Sequence, residues 1–195
     1  MLSKLLIATG NRGKLKEFKK VLAGVCMVYS PRELSLLPKE VVEGGDYREN
    51  AILKARAYSD QFKEFIAGED SGLEVDALDG KPGVFSARYG GENLPHTEKC
   101  SMLLNELRSV PLYDRTARFR ATIALLDGNE VKVFEGTMEG WIAFSYEGAE
   151  GFGYDPIFIP QGFSKTNAQL GMKIKNQISH RAKALRKLAE YLKTR

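Results

Sequence analysis

A β-hairpin is predicted near the middle of this 195-residue chain. Over residues 118–126 apolar and polar side chains alternate, which is the period of a strand with one face in a core. Asp127-Gly128-Asn129 then supplies a tight turn into a second strand over residues 130–137. The apolar side of the first strand consists of Phe119, Ala121, Ile123 and Leu125. Two strands joined by so short a turn run antiparallel, which excludes an all-helical fold and a wholly parallel sheet.

Helices and further strands are predicted on both sides of the hairpin. Apolar residues recur at helical spacing over 14–22, 48–62, 97–107 and 179–192. Short apolar runs typical of buried strands lie at 4–9, 65–67, 73–75 and 157–159. This pattern favours an α/β fold, an open mixed sheet with helices outside it. The sequence contains no internal repeat, low-complexity tract or linker, so residues 1–195 are expected to form a single domain.

Composition excludes several classes of protein. With 43% hydrophobic residues and a net charge of +4, the chain is too apolar and too weakly charged to be disordered. No apolar run approaches the ~20 residues of a membrane span. The polar stretch Asn11-Arg12-Gly13-Lys14 stands where a signal peptide would be cleaved. We therefore expect no membrane association and a cytoplasmic location.

Cysteine and histidine are scarce. Cys26 and Cys100 lie far apart in the sequence, and His96 and His180 are the two histidines. These numbers exclude a disulfide framework, a cysteine-rich zinc site and a multi-histidine metal cage. A metal ion in this protein would be bound mainly by carboxylates, which favours Mg²⁺, Mn²⁺ or Ca²⁺.

Basic residues are concentrated in the C-terminal segment. Residues 165–195 contain nine Lys or Arg and one acid, Glu190, whereas the rest of the chain has a net charge of −4. Such a segment is typical of a nucleic-acid-binding surface, of an anion pocket and of a solvated helix face. All three interpretations stay open on charge alone.

A glycine-containing loop joins the first strand to the first helix. It consists of Thr9, Gly10, Asn11, Arg12, Gly13 and Lys14. Backbone N–H groups at a helix start, the helix dipole and a lysine together attract an anion such as phosphate. The spacing is not that of a Walker A loop. A plain strand-to-helix connection with a polar cap is the alternative interpretation.

Two adjacent acids, Glu69 and Asp70, lie between strand segments and precede Ser71-Gly72. Successive strand residues point to opposite faces, so the two carboxylates are expected to have different surroundings. Asp70, at a strand end, would hold Mg²⁺ or take a proton from water, because open α/β sheets bind ligands there. A turn with Gly72 in the left-handed conformation is the alternative.

Aromatic and basic residues in the last third of the chain suit a flat, anionic ligand. In residues 151–156 two glycines let the backbone approach a base while Phe152 stacks on it. Asp155, held extended before a proline, offers an acceptor for base N–H groups. Lys175 and the pair His180-Arg181 are donors for carbonyl or phosphate oxygens. A buried ring in a tight turn and a capping histidine are the alternatives.

These elements occur together, in this order, in one known family. The chain resembles the inosine/xanthosine triphosphate pyrophosphatase family over nearly its whole length, and the combination of FGYDP and SHR is highly specific. The matching segments are Thr9-Gly10-Asn11-x-x-Lys14, Glu69-Asp70-Ser71-Gly72-Leu73, Gly83-x-x-Ser86-Ala87-Arg88-Tyr89, Gly151-Phe152-Gly153-Tyr154-Asp155-Pro156 and Ser179-His180-Arg181. The resemblance implies Mg²⁺-dependent hydrolysis of ITP, dITP or XTP to the monophosphate and pyrophosphate. It also implies a homodimer, with an elongated mixed sheet and two lobes around a central substrate cleft.

The resemblance also implies a role for individual residues. The loop from Thr9 to Lys14 would bind the triphosphate, Asp70 would be the general base and a metal ligand, and Ser71 would contact the substrate. The purine would be bound by Phe152, Gly153, Tyr154 and Asp155. The remaining substrate contacts would come from Lys175, His180 and Arg181, the last two recognising the 6-oxo group.

Two features depart from the family pattern. Glu69-Asp70 stands where Asp-Asp is common, with Asp70 in the key position. The second metal carboxylate of the family precedes a glycine, and here Glu43-Gly44 is one residue short of the usual spacing. We predict Glu43 as the second metal ligand, with Glu40 and Glu49 as alternatives.

Two other functions compete with this interpretation. The closer alternative is a pyrophosphatase that acts on damaged pyrimidine or other nucleotides. A nucleic-acid-binding module would use the basic C-terminal segment but would leave Asp70 and Phe152 unexplained. The role of Arg88, in the fold, in a dimer or in phosphate binding, stays open.

Overall fold

The computed structural model describes residues 2–91 and 93–195. The described residues form five α-helices: α1 (Arg12–Val21), α2 (Tyr47–Arg56), α3 (His96–Glu106), α4 (Asn167–Ile178) and α5 (His180–Leu192). They also form seven strands: β1 (Lys4–Ile7), β2 (Met27–Tyr29), β3 (Phe65–Val75), β4 (Pro82–Gly83), β5 (Thr116–Asp127), β6 (Glu130–Ile142) and β7 (Phe158–Pro160).

The strands form one mixed sheet. Their order is β2-β1-β3-β5-β6-β7, with β4 paired to β3. β1 runs parallel to β2 and β3, with Leu5 opposite Val28 on one side and Phe65 on the other. β4 and β7 run antiparallel to β3 and β6. The predicted α/β class is confirmed, and so is the hairpin: β5 and β6 are neighbours joined by the two-residue turn Gly128-Asn129.

The chain divides into two compact units, which correspond to the two lobes predicted from the resemblance. The first comprises the chain up to Asp70, Ala121–Gly136 and His180–Arg195, and the second comprises Ser71–Arg120 and Thr137–Ser179. The core of the first unit includes Leu5, Ile7, Phe18, Leu22, Ile123, Leu125, Leu185 and Leu188. The core of the second includes Leu73, Val75, Leu103, Leu107, Met138, Ile142, Ile157 and Phe158. The assignment of residues 1–195 to one functional domain stays a prediction.

The acidic segment lies inside a strand, contrary to the prediction of two strand pieces around a loop. β3 runs without interruption through Gly68, Glu69, Asp70 and Gly72. Gly72 is not among the residues with positive φ, so the left-handed turn considered for it is wrong. Gly68 is needed for packing: a Cβ there would lie 2.0 Å from the carbonyl oxygen of Ala51. The glycine therefore lets α2 approach β3 closely, which brings that helix to Asp70.

Several element boundaries differ from the predictions for local reasons. α1 begins at Arg12 rather than Lys14, because the Asn11 side chain caps the helix by accepting a hydrogen bond from the Lys14 N–H. α2 ends at Arg56 and not at residue 62. The sequence showed no sign of α4, whose regular apolar spacing is broken at Gly171 (φ 78°, ψ 166°). Asp155 begins a 3-10 turn, so the extended conformation predicted for it is wrong.

Candidate active site

Asp70 is a buried carboxylate held by two donors from α2. It is 4% exposed. The Asn50 amide donates to Oδ2 at 3.0 Å, and the Lys54 Nζ lies 2.8 Å from Oδ1. Burial raises the pKa of Asp70, and the Lys54 charge and the two hydrogen bonds offset part of that rise. The carboxylate therefore has a fixed orientation and a strengthened affinity for a proton.

Glu43 and Asp70 are close together because both form an ion pair with Lys54. The Lys54 Nζ is 2.8 Å from Glu43 Oε1 and 2.8 Å from Asp70 Oδ1, so these oxygens are no more than twice that distance apart. Asn50 fixes the loop that carries Glu43, because its Oδ1 accepts from the Gly44 N–H at 2.7 Å and its Nδ2 donates to the Gly44 carbonyl at 3.2 Å. Two carboxylates are thus gathered around one positive charge.

The alternatives to Glu43 have a different setting. Glu40 and Glu49 are exposed, and the Glu49 N–H donates to Asp46, the N-cap residue of α2. Among the residues that the structure describes, no cluster of three or more His, Cys, Asp or Glu side chains could hold a metal ion. A site built from two carboxylates therefore needs other oxygen ligands, such as substrate phosphates and water.

Sequence reasoning missed Asn50 and Lys54. They lie four residues apart, so they share one face of α2. Two polar residues on one face of a predicted helix, just after Glu43, are a sequence signal of a polar partner, and the structure shows Asn50 buried and Lys54 largely covered. That signal does not tell which strand supplies the partner.

Glu69 points away from Asp70, as the alternation along a strand predicts. Its Oε2 lies 2.5 Å from the Lys14 Nζ, and its Oε1 accepts from the Arg181 Nε at 3.0 Å. The Arg181 Nη1 also donates to Glu17 Oε2 at 2.5 Å. We call Glu17, Arg181, Glu69 and Lys14 the four-charge network. Burial by itself would raise the pKa of Glu69, but the Arg181 and Lys14 charges outweigh it and hold that pKa well below its usual range.

The loop predicted to bind phosphate is ordered by its own side chains. The Thr9 Oγ1 accepts from the Asn11 N–H at 3.1 Å, and the Asn11 Oδ1 accepts from the Lys14 N–H at 3.1 Å. Gly10, Asn11 and Arg12 are exposed. The loop is therefore an accessible helix start with a polar cap, and its lysine belongs to the four-charge network.

Phe152 and Asp155 form a second cluster, within the second unit. Asp155 is 1% exposed, and its Oδ2 accepts from the Phe152 N–H at 2.9 Å and lies 2.6 Å from the Lys175 Nζ. Its Oδ1 accepts from the Asn167 amide at 3.1 Å. The Lys175 Nζ is 4.2 Å from the centre of the Phe152 ring. A Cβ on Gly151 would lie 2.2 Å from Asp155 Oδ2, so this turn requires glycine.

The other predicted residues are distributed over both units. Tyr154 is 4% exposed in the core of the second unit, and its hydroxyl donates to the Ser86 carbonyl at 3.0 Å. Ser71 and Gly153 are half-buried in the same unit. His180 is buried at the start of α5 in the first unit. The half-buried Arg88 places its guanidinium 5.0 Å from the centre of the Phe85 ring.

The structure thus brings the predicted residues together in two groups. Asp70 and Glu43 meet in the first unit, beside the four-charge network that joins Lys14 to Arg181. The second group, in the second unit, consists of Phe152, Asp155 and Lys175.

Within the part of the chain that the structure describes, no helix has the length and apolar composition of a membrane span.

Several known proteins are similar to this chain. The sequence model of the Ham1 family matches residues 5–191. A dITP/XTP pyrophosphatase of Bacillus subtilis is 43% identical over 194 residues, covering 98% of each chain. A dITP/XTP pyrophosphatase of Geobacillus kaustophilus is 45% identical over 192 residues, covering 97% of this chain and 94% of its own. The solved structure of a HAM1 protein from Coxiella burnetii is 36% identical, with a TM-score of 0.89 and full coverage of both chains.

Proposed function

The chain belongs to the Ham1 family, and on this premise we propose that it is a dITP/XTP pyrophosphatase. It hydrolyses ITP, dITP and XTP to the nucleoside monophosphate and pyrophosphate, and so removes non-standard purine nucleotides from the precursor pool. The observation that carries the proposal is that Asp70 and Glu43 both form an ion pair with the same ammonium group, that of Lys54. A homodimer and a cytoplasmic location stay predictions.

The paired carboxylates fit a Mg²⁺ ion. Mg²⁺ prefers oxygen ligands and is commonly bound by one or two carboxylates together with substrate phosphates. Asp70 and Glu43 provide two such groups, and both already lie against a positive charge. These two residues would hold the ion, which when bound would neutralise charge on the triphosphate.

Asp70 acts as the general base in this proposal. Its burial favours the protonated form, which suits a group that accepts a proton from water. Asn50 and Lys54 hold the carboxylate in one orientation, so the accepting oxygen is fixed before the substrate arrives. The cations of Lys14 and Lys54 oppose the charge that develops on the phosphate oxygens. Ser71 and the loop from Thr9 to Lys14 complete the proposed contacts to the triphosphate.

The base-binding residues of the proposal are Phe152 and its neighbours in the sequence. In this proposal the Phe152 ring stacks on the purine, and the Lys175 ammonium lies 4.2 Å from the centre of that ring. Asp155 stabilises the turn that carries Phe152, because its oxygens accept hydrogen bonds from the Phe152 N–H, the Asn167 amide and the Lys175 ammonium. Gly153 and Tyr154 complete the segment, the first through its backbone and the second by anchoring it in the core.

Discrimination against adenine follows from the 6-position of the base. Inosine and xanthosine offer a 6-oxo acceptor, whereas adenine offers an amino donor. In the proposal His180 and Arg181 donate to the 6-oxo group, and an adenine would leave these donors unpaired. Within the four-charge network Arg181 is also paired with two carboxylates, which fixes the direction of its guanidinium.

The nucleic-acid alternative fits the structure poorly. Of the basic residues in the C-terminal segment, Lys175 and Arg181 are buried in ion pairs with acids. Their charges are already balanced by Asp155, Glu17 and Glu69, so they add little to the positive surface that would attract a duplex. Leu185, Leu188 and Leu192 of the same segment lie in the core of the first unit.

Purified protein is expected to release pyrophosphate, not orthophosphate, from ITP, dITP and XTP with Mg²⁺, and to prefer ITP over ATP. The physical reason is that water attacks the α-phosphate and that the purine is recognised at its 6-oxo group. A coupled pyrophosphate assay and a parallel orthophosphate assay measure both products. A panel that includes pyrimidine triphosphates tests the alternative substrate class. Orthophosphate as the sole product, or equal rates on ITP and ATP, would contradict the proposal.

Glu43→Gln is expected to raise the Mg²⁺ concentration needed for half-maximal rate by at least about tenfold, because it removes a charged ligand. The measurement is a Mg²⁺ titration of the initial rate, with Mn²⁺ binding followed by calorimetry. Glu40→Gln and Glu49→Gln are matched controls, since both side chains are exposed acids of the neighbouring sequence. A larger shift in either control than in Glu43→Gln would reassign the second ligand.

A further inference from the structure

Asn167, the first residue of α4, is a buried amide beside Asp155. It is 1% exposed, and its Nδ2 donates to Asp155 Oδ1 at 3.1 Å. A carboxylate only accepts hydrogen bonds, so the amide nitrogen, not its oxygen, must face Asp155. The orientation of the side chain is therefore set by this one bond.

The amide oxygen of Asn167 gains little from its position. Among the residues that the structure describes, none donates a hydrogen bond to this buried Oδ1. A buried acceptor without a partner lowers the stability of the folded state. A residue that only filled space here would be better apolar. The value of an asparagine at this position thus lies in its donor.

The hydrogen bond from Asn167 is the one that restrains the second oxygen of the Asp155 carboxylate. Oδ2 of that carboxylate is bound by the Phe152 N–H at 2.9 Å and by the Lys175 Nζ at 2.6 Å, whereas Oδ1 is bound by Asn167. With both oxygens held, the carboxylate cannot rotate. The Phe152 backbone and the Lys175 ammonium, which lies against the Phe152 ring, keep their relative positions in turn.

We propose that Asn167 is a positioning residue for recognition of the base, acting through Asp155 on Phe152 and Lys175. The inference rests on the proposed function, because it takes Phe152 as the ring that stacks on the purine. Asn167 does not touch the substrate. It decides how well the stacking ring and the adjacent ammonium are placed before the substrate binds.

Two variants separate this role from simple packing. Asn167→Asp keeps the shape but replaces the donor by a second carboxylate facing Asp155, with Lys175 as the cation between them. Asn167→Ala removes the donor and leaves a gap. Positioning through the hydrogen bond predicts the larger effect for Asn167→Asp, and packing predicts the larger effect for Asn167→Ala.

The expected result is a KM for ITP raised about tenfold or more in Asn167→Asp and only a few-fold in Asn167→Ala, with kcat within about twofold of wild type in both. The ratio of kcat/KM for ITP to that for ATP is expected to fall in the same order. Gln169→Glu is the matched control. It adds the same charge to the same helix and keeps the capping box with Thr166, so its KM is expected to match wild type.

Circular dichroism establishes that each variant is folded. If Asn167→Asp does not fold, Asn167→Leu takes its place, since leucine has a similar volume and no donor. Its KM is then expected to rise several-fold, and a wild-type KM would overturn the inference. A KM for Asn167→Ala equal to or above that of Asn167→Asp would overturn it as well. Wild-type protein inactive on ITP, dITP and XTP would instead overturn the proposed function, so the two failures are distinguishable.

Discussion

Asp70→Asn is expected to lower the turnover of ITP by about 10³-fold or more while the variant still binds the nucleotide. The amide keeps the size of the carboxylate and its place on β3, but it cannot accept a proton from water. It also removes one of the two negative charges around Lys54, so a Mg²⁺ ion would be held by Glu43 alone. In the proposed mechanism the base and a metal ligand are lost together, which makes this the largest effect on activity that we expect.

Two measurements are needed for the Asp70 variant. A pyrophosphate assay gives kcat and KM, and calorimetry with ITP shows that binding persists. Asp60→Asn is the control, because it makes the same change at an exposed carboxylate of the same unit, paired with Lys39. Near-normal turnover in Asp70→Asn would remove this residue as the base. A comparable loss in Asp60→Asn would show that the substitution acts through the fold.

The parts of the fold that the sequence predicts are those with regular local patterns. The alternation over 118–126 and the turn at Gly128 predict the β5–β6 hairpin, and the apolar spacing over 179–192 predicts α5. The sequence analysis did not predict α4, because Gly171 interrupts the regular spacing of its apolar residues. β3 was divided in the prediction because glycines usually interrupt strands. Gly68 is extended here because α2 packs directly onto it, a contact between residues distant in sequence.

In the candidate site, too, local sequence patterns predict some features, whereas contacts between distant residues determine the others. Adjacency alone predicts that Glu69 and Asp70 face different surroundings, and the structure confirms it. The partners themselves come from elsewhere: Arg181 lies 112 residues from Glu69 and 164 from Glu17. Such pairings depend on how helices pack on the sheet, and single-sequence patterns do not carry that information. The resemblance pointed to Arg181 as a substrate donor but not to its two carboxylate partners.

Arg181→Ala is expected to lower the free energy of unfolding by about 3–5 kcal/mol, the usual cost of leaving buried charges without their partner. The substitution takes the guanidinium away from Glu17 and Glu69, whose side chains are almost wholly buried. Lys14 stays with Glu69 but does not replace the lost bond to Glu17. For a chain of this length the melting temperature is expected to fall by about 6–20 °C.

Arg186→Ala supplies the control for the Arg181 variant. It makes the same truncation five residues further along α5 at an exposed position. Exposed arginines contribute about 1 kcal/mol or less, so this variant is expected to melt close to wild type. Adding Glu17→Gln to Arg181→Ala is expected to restore part of the stability, because it removes the buried charge that the guanidinium had balanced. Denaturant titration at neutral pH gives all three free energies.

The pH dependence provides an independent check on the four-charge network. The pKa of Glu69 in the folded protein is depressed below its ordinary value of 4.5, so its contribution to stability is present above that pH and lost as the pH falls. In Arg181→Ala the buried Glu69 carboxylate lacks the guanidinium, so its protonation in acid removes a destabilising buried charge. The stability difference between wild type and Arg181→Ala is therefore expected to be largest at neutral pH and to shrink below pH 4.5. A difference that stays constant down to acid pH would mean that the arginine stabilises the protein by packing and not by its charge.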